Sequence, residues 1–282
     1  MLMRKNIIII VLMVFGMYSS ASAADPVASP KRIVSLAPSM TEIMFALGLG
    51  ENIVGVTTFC DYPEEAKKKP KIGGMSNPSL EAVLSLKPDI VVMTTDGNPR
   101  EFADRLHSLH IKTFISTARR LHDLPDGIKE LGKALGIKER SDRLAKEIVD
   151  GIEAFKKRGN ISRTSVPTKV LFIVWPEPLI VAGPGTVIDD AILLLGDDNI
   201  SRSAKTEYPK FSIEEVIRRS PDVIVIGKGS GMDMQAVSKG ILKRLASVPA
   251  VKQGKVCYLG DSLFRLGPRV IQGIEELAEC LR

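Results

Sequence analysis

One fourteen-residue pattern occurs twice in this chain. SLEAVLSLKPDIVV runs from Ser79 to Val92, and SIEEVIRRSPDVIV runs from Ser212 to Val225, each residue 133 positions after its counterpart. Six of the fourteen positions are identical and four more exchange Leu or Val with Ile, where ordinary composition gives about one identity by chance. Ser79 and Ser212 are suited to cap a helix, since a serine oxygen accepts an otherwise unpaired backbone N–H. Glu81 and Glu214 follow in the first turn, where the helix dipole favours a carboxylate. Leu80, Val83 and Leu84 recur at helical spacing and are matched by Ile213, Val216 and Ile217. Pro88 and Pro221 stop each helix, because the residue before a proline resists the α conformation. The β-branched runs that follow, IVVM and VIVI, read as buried strands. A helix feeding a strand, present once in each half, leaves two architectures: one large sheet that reuses an element, or two similar lobes.

The rest of the chain favours lobes. In the first half, strands at 31–37, 52–58 and 111–116 alternate with helices at 38–48, 102–110 and 123–136. Ser39 and Glu42 have the spacing of a capping box. Such alternation predicts a parallel sheet covered by helices. The pattern then breaks at 141–158, a long amphipathic helix with Leu144, Ile148, Ile152 and Phe155 on one stripe and no strand directly after it. Alternation resumes with a strand at 169–175, a helix at 187–196, the repeated unit, a strand at 255–260 and a helix at 268–281. The expected fold is α/β: two similar αβ lobes with parallel sheets, at 24–137 and 166–282, joined by one long α-helix within 138–165. A ligand belongs in the cleft between them, at the strand ends.

Residues 1–23 read as a secretory signal peptide. Arg4 and Lys5 precede an apolar run from Ile7, and Ala21-Ser22-Ala23 has the form of a cleavage site. The run is short of the roughly 20 apolar residues that span a bilayer, and no cysteine stands near the cleavage site to take a lipid anchor. Export to the periplasm as a monomer without an acyl chain is the expectation. Without Arg4 and Lys5 the chain's 39 basic residues become 37, against 33 acidic. The excess is small and scattered, which argues against nucleic acid as a partner. Three cysteines remain, Cys60, Cys257 and Cys280, so one at least is unpaired; Cys257 and Cys280 share the last unit, and spacing alone leaves their pairing open.

The chemistry of enzymes is hard to find. No phosphate-binding G-x-x-x-x-G-K-[ST] loop occurs, the glycines at 48–55 lack dinucleotide spacing, and no G-x-S-x-G elbow is present. His107 and His110 stand three apart on an expected helix and suit a shared metal, the basis of an alternative reading as a metallochaperone or metal-dependent enzyme. No matching ligand stands in the second half, and nothing assembles a nucleophile, a base and an orienting group. The expectation is a binding protein with no catalytic residue, no resident cofactor and no metal site.

IVSLAPSMTEIMFALGLGENIVGVTTFCDYP, then SLEAVLSLKPDIVV, the long helix and FSIEEVIRRSPDVIVIG together resemble the helical-backbone (class III) periplasmic substrate-binding proteins of ABC importers, over residues 31–282. The family takes up cobalamin, ferric siderophores, haem or free metals. The nearest likeness is to its cobalamin-binding branch. There the resemblance implies ligand contacts from Phe59 in VGVTTFCDYP, from Tyr208 ahead of the second repeated helix, and from Asp261 and Arg265 in DSLFRLGPR. Trp175 ends a strand where the family often lines its cleft. Met75 and Thr94 stand where that branch carries tryptophans, so the pocket is less aromatic. The implied ligand is a corrinoid, with haem or a ferric siderophore as the alternative. The resemblance also implies that Glu81 and Glu214 each meet an arginine cluster on one subunit of a dimeric membrane permease.

Overall fold

The computed structural model describes residues 30–161, 166–229 and 233–282. The export signal expected at 1–23 and residues 162–165 of the linking segment lie outside these. The first lobe contains β1 (Ile33–Ser35), α1 (Pro38–Ala46), β2 (Ile53–Val56), α2 (Glu64–Lys67), α3 (Leu80–Ser85), β3 (Ile90–Thr94), α4 (Arg100–Ser108), β4 (Thr113–Ser116) and α5 (Leu124–Ala134). Its sheet has the order β2-β1-β3-β4, with every pair parallel. A single 24-residue helix, α6 (Lys138–Ile161), follows. The second lobe contains β5 (Lys169–Pro176), β6 (Leu179–Val181), α7 (Val187–Leu194), β7 (Asp198–Asn199), α8 (Ile213–Arg219), β8 (Val223–Gly227), α9 (Met234–Arg244), α10 (Pro249–Lys252), β9 (Val256–Leu259) and α11 (Val270–Leu281).

The repeated unit becomes α3–β3 in one lobe and α8–β8 in the other. Ser79 Oγ accepts from the Ala82 N–H and Ser212 Oγ from the Glu215 N–H, both at 3.1 Å, so both caps form as expected. Lys87 and Ser220, which precede the two prolines, both adopt left-handed backbone, φ 46° and 53°. That conformation ends the helix and relieves the clash that the proline ring would make with an α residue before it. β3 and β8 are buried along their whole length and sit inside their sheets. The expected helical stripe is narrower than its spacing suggests. Val83 and Val216 are buried, but Leu84 and Ile217 are 37% and 42% exposed.

Two features depart from the sequence reading. The second sheet, β6-β5-β8-β9 with the short β7 parallel beside β5, is not wholly parallel: β6 returns antiparallel beside β5, since the two residues between Pro176 and Leu179 are too few for a crossover. The Ser39–Glu42 capping box does not form. Ala37 caps α1 without a side-chain bond, which places Ser39 inside the first turn, and the Glu42 carboxylate is turned toward two arginines of the other lobe.

The lobes share apolar interior. One cluster runs from Ile33, Met44 and Ile53 in the first lobe, through Ala145, Ile148 and Phe155 of α6, to Phe172, Ile188 and Ile274 in the second. Only the outer faces of the sheets have cores of their own, around Val83 and Phe102 on one side and Val216 and Ile241 on the other. Gly151 lets α6 and α11 approach closely, as a Cβ there would lie 2.8 Å from Ile271 Cδ1. Cys257 and Cys280 form a disulfide that ties β9 to α11, and Cys60 is a buried free thiol.

Candidate functional site

Between the lobes, where the carboxyl ends of both sheets meet, lies a cleft of about 430 Å³. The first lobe lines it with the start of α1, Phe59 after β2, Met75, Thr94 and Asp96 at the end of β3, and Arg119 beyond β4. The second lobe contributes Thr186 and Val187 at the head of α7, Glu207 and Tyr208 ahead of α8, and Asp261, Phe264 and Arg265 after β9. Five residues expected from the sequence, Phe59, Met75, Tyr208, Asp261 and Arg265, are therefore brought to one cavity. Phe59 is 56% exposed, as suits a ring held for stacking rather than for core packing.

Met75 owes its place to a residue the sequence reading missed. Asn98 donates from Nδ2 to the Met75 and Leu36 carbonyls, both at 2.9 Å, and accepts the Thr94 N–H at 2.8 Å. One amide thus joins the end of β3, the loop carrying Met75 and the strand before α1. Its signal in the sequence was an asparagine among turn residues, which any solvated loop also shows.

Trp175 is not among the cleft residues. It lies on β5 opposite Ile180 of β6, and its indole N–H donates to the Glu177 carbonyl at 2.8 Å. The hairpin that the sequence reading lacked occupies the polar end of this side chain. Glu81 and Glu214 are exposed on α3 and α8, and neither lines the cleft. The Glu214 carboxyl is held below its ordinary range by its own backbone N–H and by the Ser212 hydroxyl. His107 and His110 do not share a helical face: α4 ends at Ser108, His110 has left-handed backbone (φ 59°), and His107 Nε2 lies 2.6 Å from Thr113 Oγ1. Among the described residues no three His, Cys, Asp or Glu side chains gather to hold a metal. In the cleft, the Met75 thioether could present a soft donor to a chelated metal.

Asp261 and Arg265 occupy the wall in a different way from that expected. Arg265 pairs with Asp261 at 2.7 Å and reaches across the lobes to Glu42 at 3.3 Å and to Asp61. Arg269 bonds both Glu42 oxygens, at 2.6 and 2.9 Å, and Asp261 at 3.1 Å, with the Tyr62 ring 4.1 Å from its guanidinium carbon. The Glu42 side chain is only 1% exposed. A carboxylate this deep must be paired, and two guanidiniums in fork geometry do so better than one backbone N–H. Burial works against the Arg265 charge, but the bond to Asp61 and the charges of Asp261, Asp61 and Glu42 outweigh it and raise its pKa. Two more pairs cross between the lobes. Arg120 and the Leu121 N–H both bond Asp190 of α7, and Arg119 Nη1 lies 3.8 Å from Glu207 Oε1 at the cleft. Tyr208 is partly exposed, yet desolvation of its hydroxyl, with the charges of Asp96 and Glu207, pushes its phenol up to about 12. It is a neutral donor at physiological pH.

Comparison with known proteins gives the same picture of the whole chain. A family model described as periplasmic binding protein matches residues 33–263. The vitamin B12-binding protein of Pectobacterium atrosepticum is 28% identical over 256 residues, covering 90% of this chain and 89% of that one. YvrC of Bacillus subtilis, an uncharacterised ABC transporter substrate-binding lipoprotein, is 32% identical over 260 residues, covering 89% and 80%. Among solved structures, the periplasmic haem-binding protein RhuT from Roseiflexus sp. RS-1 superposes with a TM-score of 0.82 at 32% identity, over 89% of this chain and 97% of that one. The periplasmic vitamin B12-binding protein BtuF of Vibrio cholerae does so at 0.76 and 26%, over 90% and 97%.

Proposed function

The chain belongs to the periplasmic binding protein family, and from that premise we propose that it is the substrate-binding component of an ABC importer, capturing a corrinoid between its lobes and delivering it to a dimeric membrane permease. The family consists of transport proteins rather than enzymes. The observation that carries the reading is the interlobe cleft, to which both lobes bring side chains suited to a flat chelate: Phe59 and Met75 from one, Tyr208 from the other. The vitamin B12-binding relatives support a corrinoid as the cargo. A second reading, haem or another iron chelate such as a ferric siderophore, is supported by the likeness to RhuT. Glu81 and Glu214, one exposed carboxylate on the same repeated helix of each lobe, supply the permease contacts. The protein works in the periplasm as a monomer, after cleavage behind Ala23 and without an acyl anchor. Among the described residues no helix is long and apolar enough to cross a membrane.

The deciding experiment is gel filtration of the purified protein after incubation with cyanocobalamin, followed by visible absorption of the protein peak. One corrinoid retained per chain is expected. A peak free of corrinoid that retains haem would replace the first reading with the second. N-terminal sequencing and light scattering of the mature protein test its processing and its monomeric state.

A further inference from the structure

The relatives divide between corrinoids and haem, and the charge on the cleft wall separates these ligands. Among the described lining residues, Asp96, Glu207 and Asp261 bring three carboxylates against the two guanidiniums of Arg119 and Arg265. Both cations are already engaged. Arg265 and Arg269 share Glu42, Asp61 and Asp261, three carboxylates against two guanidiniums, and Arg119 faces Glu207 at 3.8 Å. A ligand carboxylate entering this wall would meet carboxylates whose counter-charges are spent. Burial of an anion beside like charge is opposed both by desolvation and by repulsion. Amide groups meet the opposite situation. Their N–H groups can donate to Asp96 and Glu207, and their carbonyls can accept from the Tyr208 hydroxyl, whose phenol is pushed up first by desolvation and then by the charges of these two carboxylates.

We propose that this cleft discriminates by charge: it takes a metal chelate whose rim carries amides and whose net charge is zero or positive, rejects chelates with free carboxylates, and owes this preference to Asp96 and Glu207. The proposal rests on the reading of the cleft as a chelate-binding site and decides between the two cargoes that the reading leaves. A corrinoid, with its amide side chains, fits; haem, with its propionates, does not.

Equilibrium dialysis of four probes tests it: cyanocobalamin, dicyanocobinamide, haemin and haemin dimethyl ester, the last keeping the porphyrin while masking the carboxylates. The wild type should hold dicyanocobinamide at least about tenfold more tightly than haemin, and the ester more tightly than haemin. Asp96→Asn combined with Glu207→Gln should raise haemin affinity by about tenfold and narrow its gap to the ester, with an unchanged circular dichroism spectrum showing that the fold is intact. Haemin binding as tightly as its ester, or failing to gain in the variant, would overturn the charge argument while leaving the transport reading in place. If none of the four binds the wild type, the reading of the cleft as a corrinoid or haem site falls and the inference falls with it.

Discussion

The two lobes use one backbone unit and diverge in what they hang on it. α3 and α8 begin with a serine cap, expose a glutamate and an aliphatic residue three positions on, and are followed by a left-handed residue before proline, Lys87 in one and Ser220 in the other. Yet Ala82 in the first lobe is matched by Glu215 in the second, which bonds Arg218 and Arg219. The divergence is larger in the loops beyond the strands. The first lobe supplies Glu42 and Asp61 to the interlobe network and the second supplies Arg265 and Arg269, whereas at the other contact the first lobe supplies Arg120 and the second Asp190. The second lobe alone, among the described residues, carries a disulfide. Shared backbone thus sets where the lobes point, and unshared loop residues set how they grip each other and what they hold.

The largest expected effect comes from removing the deepest part of that grip. Glu42→Ala strips both arginines of their buried counter-charge and should lower stability by about 3 kcal/mol, the usual result of breaking a buried pair from one side. Urea denaturation measures this. If the lobes depend on each other, the single transition will also broaden or split, and an unchanged curve would show that the shared apolar cluster couples them without the ions. Replacing the disulfide, with Cys257→Ser and Cys280→Ser, reopens a loop spanning 23 positions, worth about 3 kcal/mol in chain entropy. Hydrogen exchange should show the loss concentrated in β9 and α11, and an equal loss in the first lobe would contradict separate outer cores.

Smaller effects test the site. Phe59→Ala or Tyr208→Ala should weaken ligand binding by about 1–3 kcal/mol, as truncation of an aromatic anchor does, while Trp175→Ala should leave affinity within error; calorimetry compares the three. The smallest structural effect belongs to the repeated glutamates. Glu81→Arg and Glu214→Arg should each change stability by no more than about 1 kcal/mol and leave ligand affinity intact. Either should reduce stimulation of the permease ATPase, and the pair should abolish it. If only one of them matters, the lobes are not equivalent docking units.

Much of the scaffold was legible because local rules write it. Alternating β-branched runs and amphipathic segments predicted the lobes, and Ser79, Ser212, Pro88 and Pro221 marked ends that the structure keeps. The β6 hairpin was hidden by its brevity, three residues behind a pair of prolines. Helices α9 and α10 drew no expectation from the sequence. At the cleft, residues with a family likeness could be placed, but Glu42, Asn98 and Asp190 could not. Their partners lie 227, 23 and 70 positions away, and no period in a sequence reports such meetings. Trp175 misled for a related reason: a lone indole at a strand end suits a cleft, and only the hairpin shows that its N–H is already spoken for.

Helix α6 acts as a gauge. At 24 residues it is about 36 Å long, and a continuous helix offers no loop at which to bend, so the lobes are expected to keep nearly the same separation. If the importer holds one glutamate on each lobe, an empty molecule offers the same span as a full one. Empty carriers then occupy the membrane site as competitors of loaded ones, and uptake depends on the loaded fraction rather than on the number of carriers. Overproduction of the carrier under scarcity of its cargo would slow transport instead of speeding it.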